Sequence, residues 1–423
     1  MRRTRPTKVV PSREAVVEIT AVGAAGDGMA SGPIFVPFAL PGETARISIA
    51  GDRGEIVELL SASPERIPPV SPHYGLCGGC QLQHWAQGPY LDWKVEQLRR
   101  VLARESLEAE ILPPFAAAPG TRRRLGLHAR RGPGGVILGF KQRRSWDLIE
   151  VTQCPVADPR LVAAFPALRR LAEPFLEHPK SAPTLHVTLT STGIDVDVTG
   201  VEAKSGGGLS ADARMRAAEA AAAGDLARVT MGGEVVYGAR PPTVRFGAAS
   251  VVLPPGGFLQ AVAGAEDALA GFALEHAAGA RRVADLFCGA GAFTFRLGEI
   301  APVLAADADV GAISALRTGL SSAPGLKTVT AEARDLYRRP VLAQELKHVD
   351  AVLFDPPRAG AIEQTAQIAE SAVARVVAVS CNPTTFARDA RRLVDAGFRL
   401  ERVLPVDQFL WSAHMELAAA FSR

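Results

Sequence analysis

From about residue 270 onward the chain alternates short apolar runs with helical runs, and near its end that alternation stops. Apolar runs stand at 283–287, 303–307, 327–331, 350–354 and 375–380, each separated from the next by a segment able to form a helix. Strands joined through helices lie parallel, because a long crossover is needed to carry the chain back to the same end of a sheet. The last two runs, 399–406 and 415–422, have no helix between them. They predict an antiparallel pair that finishes an otherwise parallel sheet over 251–423.

The upstream half reads differently. Val16-Val17-Glu18-Ile19, Ile34-Phe35-Val36, Ala45-Arg46-Ile47-Ser48-Ile49 and Ile56-Val57-Glu58-Leu59-Leu60 are broken by Gly23, Gly26, Gly28 and Pro41-Gly42-Glu43. Roughly five short strands at such spacing predict a small β-barrel over 15–66. A Pro-rich passage, Ser63 to Pro69, closes it. Residues 67–250 form a strand-rich central region. Within it lie an amphipathic helix near 90–104, a glycine joint at Gly206-Gly207-Gly208 and an alanine-rich helix near 210–223. Residues 1–14 are a basic arm, suited to touching phosphate or to remaining a solvated tail.

With 423 residues, 48% of them hydrophobic and 22% charged, the chain can build about two or three packed domains. A net charge of +3 is too small to identify a nucleic-acid partner, so local clustering has to carry that argument. Five unevenly spaced cysteines do not make a disulfide framework; reduced thiols and a cytoplasmic setting are expected. No apolar run approaches the roughly 18 residues needed to span a membrane. Nothing implies an obligate protein partner, and a monomer is expected.

Ser380-Cys381-Asn382-Pro383 follows the apolar run 374–379 and opens into a helical stretch. A cysteine between a strand end and a helix N-terminus is placed where backbone N–H groups favour a thiolate. Phe354-Asp355-Pro356-Pro357-Arg358 and His414-Met415-Glu416 flank it at neighbouring strand positions. Asp285-Leu286-Phe287-Cys288-Gly289-Ala290-Gly291-Ala292-Phe293 ends the first strand, and its small residues allow a ligand close to the backbone. Thr294 stands where a dinucleotide site needs a third small residue, which weakens a nicotinamide reading. Asp307, at the end of the second strand, can accept two ribose hydroxyls, with Asp309 as its competitor. Cys288 reads as a packed core thiol.

These four motifs, in this order, resemble the series found in the RNA uracil-5-methyltransferases. Phe35-Val36-Pro37 and Leu40-Pro41-Gly42-Glu43 are similar to the TRAM RNA-binding domain, which accompanies the 23S ribosomal-RNA branch of that family. The resemblance implies an α/β fold: a class I S-adenosylmethionine methyltransferase (Rossmann-like) domain behind a TRAM β-barrel and a strand-rich central domain. It implies S-adenosylmethionine as methyl donor, with contacts at Gln260 (in Phe258-Leu259-Gln260), Phe287, Gly289, Gly291, Asp307 and Asp355. Val262 and Ala292 depart from polar positions of the family pattern. The implied substrate is 23S rRNA; the same chemistry on the tRNA T-loop and a decayed RNA-binding assembly factor are the alternatives.

The chemistry suits those residues. Uracil C5 is a poor nucleophile until a thiolate adds to C6, and the C5 proton must leave before the thiolate can be eliminated. Cys381 is the expected nucleophile and Glu416 the expected base, with Arg358 able to support an oxyanion or a phosphate. A stacked base has to be extruded to react. Arg122, Arg123, Arg124, Arg130, Arg131, Lys141, Arg143 and Arg144, with no acid between them, are the expected RNA-binding residues. DNA cytosine-5 chemistry is disfavoured, and the absence of a Cys-x3-Cys-x2-Cys triplet argues against radical chemistry. Cys77, Cys80 and Cys154 resemble the family's iron–sulfur ligands, although Ser71 stands at the usual first cysteine. A [4Fe–4S] cluster with an incomplete cysteine set, a zinc site completed by His73 and a metal-free thiol cluster are the three readings.

Overall fold

The computed structural model describes residues 13–202 and 208–423. The basic arm up to residue 12, with Gly206 and Gly207 of the glycine joint, lies outside the described residues. Two compact units emerge, Met1–Gln97 with Trp411–Ala413, and Leu98–Leu410 with His414–Arg423.

The first unit contains a closed barrel of β1 (Arg13–Val22), β2 (Gly28–Ala30), β3 (Ile34–Val36), β4 (Thr44–Ala50) and β5 (Arg53–Ser61), in the order β1-β2-β3-β5-β4. Along β4, Ala45, Ile47 and Ile49 face the core while Thr44, Arg46 and Ser48 do not, the period-two pattern of a half-buried strand. Glu43, fully buried beside β4, accepts from Arg66 and from the Leu40 and Ser63 backbone N–H groups. Burial alone would raise its pKa, but these donors hold it below the ordinary value.

Helix α1 (Gln87–Arg104) leads into the second unit, followed by short strands β6 (Glu110–Ile111) and β7 (Phe115–Ala116). A seven-stranded sheet comes next. Its members are β8 (Arg124–Gly132), β9 (Gly135–Lys141), β10 (Leu148–Glu150), β11 (Thr184–Thr190), β12 (Gly193–Thr199), β13 (Arg228–Met231) and β14 (Glu234–Gly238), ordered β10-β9-β8-β11-β12-β13-β14. Leu125, Leu127 and Ala129 of β8 and Leu185 and Val187 of β11 pack under helices α2 (Pro159–Ala163), α3 (Phe165–Ala172) and α4 (Ala211–Ala223). Sequence reading finds α4 but not α2 or α3, because Pro159 and Pro166 look like turn residues. Both sit in a first helical turn, where proline's missing N–H costs nothing, and Asp158 caps α2 through Arg160 N at 2.9 Å.

A hairpin of β15 (Thr243–Phe246) and β16 (Ala249–Val252) precedes the large sheet. That sheet is built by α5 (Ala263–Ala277), β17 (Val283–Leu286), α6 (Thr294–Ile300), β18 (Val303–Asp307), α7 (Val310–Gly319), β19 (Val329–Ala333), β20 (Ala351–Phe354), α8 (Ile362–Glu370), β21 (Arg375–Ser380), α9 (Pro383–Asp395), β22 (Arg399–Asp407) and β23 (Glu416–Ser422). The order is β19-β18-β17-β20-β21-β23-β22-β6, with β7 also on β22. Strands β17 to β21 are parallel, and β23 inserts antiparallel between β21 and β22. The expected closing pair is thus present. The run expected at 327–331 begins two residues later, since Lys327 N still donates to the Gly298 carbonyl at the end of α6. Alternate strand residues enter two cores: Val283, Leu353 and Val377 on one face, Ala284, Val352 and Val376 on the other. Among the described residues no helix is long and apolar enough to cross a membrane.

Candidate active site

Register sets the site. Leu286 pairs with Ala306 and Phe354, and Phe354 with Ala378, so Phe287, Asp307 and Asp355 reach the carboxyl edge of the sheet together. Ser380 pairs with Leu417 of antiparallel β23, and the next step along this register sets Cys381 opposite Glu416. A cavity of about 650 Å³ opens there, lined by Gln260, Phe287, Gly289, Asp307, Asp355, Arg358, Cys381 and Glu416 among others. Its position is the ligand crevice of an open parallel sheet.

At one end the backbone does most of the shaping. Phe287, Gly289 and Gly291 have φ of 62°, 53° and 99°. A Cβ on Gly289 would meet nothing, whereas one on Gly291 would lie 2.7 Å from the Phe295 ring and 3.1 Å from Leu316. Gly289 therefore opens the turn to the cavity, and Gly291, which does not line it, lets the turn pack down. Asp307 accepts from Gly289 N at 2.9 Å and Asp309 N at 2.8 Å. Asp309, which also lines the cavity, caps α7 through Ala312 N at 3.1 Å. Cys288 is buried, and burial pushes its thiol well above the ordinary value, as befits a core residue. Asp285 is fully buried beneath the turn, accepting from Thr294 at 2.5 Å, and burial lifts it to about 7.

Side chains shape the other end. Asn382 caps α9 by accepting from Thr384 N at 3.1 Å and donates to the Arg358 carbonyl at 3.0 Å, so the turn holding Cys381 is tied to the Asp355–Arg358 loop. Helix-start stabilisation of the thiolate, expected from sequence, is outweighed here. Burial, followed by the Glu416 and Asp355 carboxylates, pushes the Cys381 thiol up to about 11, against Arg358. Glu416 is buried and thereby raised to about 7, although a Gln408 N–H opposes the shift. Asp355 is raised well above the carboxylate range by burial and then by Glu416. Three acids thus share a space that disfavours more than one negative charge.

Two amides join the two carboxyls. Gln260 Nε2 donates to Asp355 Oδ2 at 3.2 Å. Gln408 Nε2 donates to Gln260 Oε1 at 2.7 Å and to Glu416 Oε2 at 2.8 Å, while its Oε1 accepts from Ala261 N at 3.1 Å. Sequence reading passes over Gln408, a polar residue just past an apolar strand with no motif around it. Phe258, Tyr337 and Phe409 also line the cavity, and Tyr337 lies 5.6 Å from Phe287 between ring centroids.

The family of tRNA (uracil-5-)-methyltransferases matches residues 254–423. An uncharacterized RNA methyltransferase of Caulobacter vibrioides is 63% identical over 411 residues, covering 96% of this chain and 99% of the relative. A 23S rRNA (uracil(1939)-C(5))-methyltransferase of Alkalilimnicola ehrlichii is 33% identical, covering 99% of both chains. The chain belongs to the RNA uracil-5-methyltransferase family. A solved structure, the Pyrococcus abyssi tRNA (uracil-54, C5)-methyltransferase in complex with S-adenosyl-L-homocysteine, shares the fold at TM-score 0.71 and 23% identity, covering 96% of this chain and 99% of that one.

The basic segment of this methyltransferase is divided by its burial. Arg123 turns inward, pairing with buried Glu266 at 2.6 Å and donating to the Gln260 carbonyl at 2.9 Å. Arg124 donates to the Leu259 carbonyl at 2.7 Å and stacks on Phe258, and burial with its arginine neighbours lowers it to about 10. Arg122 and Arg124 line the cavity, as do Gly126 and His186, paired across β8 and β11. Farther out, Arg130, Arg131 and Arg144 are exposed, Arg143 is half-buried, and Arg131 donates to the Leu176 carbonyl. Lys141 sits 4.1 Å over the ring of Trp146, which is 86% exposed.

The metal expectation is corrected. Among the described residues no group of three or more His, Cys, Asp or Glu side chains is placed to hold a metal ion. Ser71 is engaged in a turn, its Oγ accepting from His73 N and its N–H donating to Gln83. Cys77 is half-buried with its thiol raised by burial, Cys80 has a left-handed backbone (φ 57°), and Cys154 packs against the apolar core of the seven-stranded sheet. An iron–sulfur cluster finds no support among the described residues.

Proposed function

We propose that this methyltransferase transfers a methyl group to C5 of a uridine in ribosomal RNA through a covalent adduct between Cys381 and C6 of the base. The observation that carries this reading is the meeting of Cys381, Glu416, Asp355 and Gln260 in one cavity at the carboxyl edge of the sheet. S-adenosylmethionine, when bound, supplies an electrophilic methyl group. The glycine turn, Phe287 and Asp307 fit its nucleoside part: a left-handed turn open to the cavity lies beside a carboxylate held by backbone N–H groups.

In this reading the Cys381 thiol first releases its proton to water, the thiolate sulfur bonds to C6, and the C5–C6 π electrons shift onto the C4 carbonyl as an enolate. Gln260, and Asp355 in its protonated form, which burial favours, would donate to that enolate oxygen. Once C5 carries the methyl group, Glu416 removes the C5 proton, the electron pair re-forms C5=C6, and the C6–S bond breaks. Arg130, Arg143, Arg144 and Lys141 would hold phosphates outside the cavity. The near full-length similarity to a 23S rRNA enzyme supports the ribosomal substrate.

RNA carrying 5-fluorouridine tests the mechanism, because fluorine at C5 cannot leave as a proton. An adduct stable in denaturing gels is expected with the native chain and none with Cys381→Ser; an adduct surviving that substitution would point to another nucleophile. Mass spectrometry of rRNA from a deletion strain should lack one 5-methyluridine, and retention of all of them would remove the ribosomal assignment.

A further inference from the structure

We infer that Gln408 is the positioning residue that keeps Glu416 a proton acceptor and, through the same amide, sets the orientation of Gln260 against Asp355. This rests on the reading of Glu416 as the base that removes the C5 proton.

Hydrogen-bond polarity makes the argument. An amide side chain can be turned either way, but a backbone N–H can only donate. Ala261 N meets Gln408 Oε1 at 3.1 Å, so the oxygen of Gln408 is fixed and its NH2 must face the other way. Both hydrogens of that NH2 are then committed, one to Glu416 Oε2 at 2.8 Å and one to Gln260 Oε1 at 2.7 Å. Gln260 is turned in consequence, and its own NH2 donates to Asp355 Oδ2 at 3.2 Å. One backbone N–H thus dictates the direction of three side-chain hydrogen bonds spanning both carboxyls of the site.

The chemical outcome follows from what each carboxyl receives. Glu416 Oε2 meets a donor that cannot reverse, which favours Oε1 as the seat of any proton on Glu416. A donor to a carboxylate stabilises the ionised form, the one able to take a proton. Gln408 is 3% exposed, so this bond is made away from competing water. The chain path brings the two residues within reach. Gln408 follows the end of β22, Glu416 begins β23, and the pairing of Val406 with Glu416 draws the two sides of that connection together.

The test separates formation of the adduct from its release. Gln408→Leu removes the donor at similar size, and Gln408→Asn keeps the amide but shortens its reach. With uridine RNA, both variants should release methylated product about 10- to 100-fold more slowly, the scale for one hydrogen bond to a charged group. Covalent protein–RNA adduct should accumulate, and the acid limb of the pH–rate profile should move to higher pH. Adduct formation on 5-fluorouridine RNA, which involves no removal of a C5 proton, should slow less than product release does, because it loses only the orientation of Gln260. Equal loss of both steps with an unmoved pH limb in either folded variant, or no change in either, overturns the inference. Glu416→Gln is the control: failure of that variant to accumulate adduct on uridine RNA would overturn the base assignment itself, and is distinguishable from a failure confined to Gln408.

Discussion

The two ends of the cavity are made of different material. The turn that follows β17 is made of backbone, with Gly289 opening it, Gly291 packing it and Asp307 tied to two N–H groups. The Cys381 end is made of side chains from distant parts of the chain, where burial and mutual repulsion, rather than backbone shape, set the chemistry. A backbone-built site tolerates changes of side chain but not of φ. A side-chain-built site tolerates neither the loss of a partner nor the addition of a charge.

The largest effect should come from the side-chain end. Glu416→Gln is expected to slow turnover by about 10²- to 10⁴-fold, the contribution of a positioned base. In the native enzyme the rate should rise as pH passes about 7, where Glu416 ionises, and this limb should vanish in the variant. Stability should move the opposite way. Because the folded-state pKa lies above the unfolded one, the native chain holds an extra proton between about pH 4.5 and 7 and loses stability as pH rises through that window. Glu416→Gln should therefore be more stable than the native chain above pH 7, by roughly 1–3 kcal/mol, and no more stable below pH 4, as read by denaturant unfolding.

The backbone end yields a contrast between neighbours. Gly291→Ala forces a Cβ into the Phe295 ring at a φ of 99° and should cost about 2–4 kcal/mol of stability. Gly289→Ala, at 53° with open space around the Cβ, should cost about 1–2 kcal/mol and chiefly weaken donor binding. Thermal unfolding paired with the KM for S-adenosylmethionine separates them; equal effects on both readouts would break the comparison.

A smaller effect should divide the basic segment. Arg123→Ala leaves buried Glu266 with only Arg296 and should lower Tm, whereas Arg130→Ala should leave Tm unmoved and reduce the salt dependence of RNA binding by about one phosphate contact. Trp146→Ala should weaken RNA binding by about 1–3 kcal/mol if its open face stacks on a base, measurable by filter binding.

Much of this molecule is legible in its sequence. Strands β17 to β23, the closing antiparallel pair and the barrel follow from apolar periodicity, and the glycine turn from residues whose effect on φ is local. Cys381 and Asp355 are visible there because the ends of parallel strands converge whatever the loops do, and Glu416 because it begins the antiparallel strand beside them. Helices α2 and α3 escape sequence reading because proline at a helix start mimics a turn, and the metal reading finds no support among the described residues because cysteine spacing does not set where thiols meet.

The sequence by itself determined the order of the elements and the chemical types available at the sheet edge, since both are written in short-range pattern. Tertiary structure decided which of those groups meet. Gln260 precedes α5, Asp355 follows β20, and Gln408 and Glu416 bracket the last connection, yet four hydrogen bonds join them to one backbone N–H. It also turned Arg123 from a phosphate ligand in prospect into the partner of a buried carboxylate, and raised the pKa of Cys381 where a helix start alone would lower it. The reason is physical: burial and hydrogen-bond direction are properties of the packed chain, and no local stretch of sequence carries them.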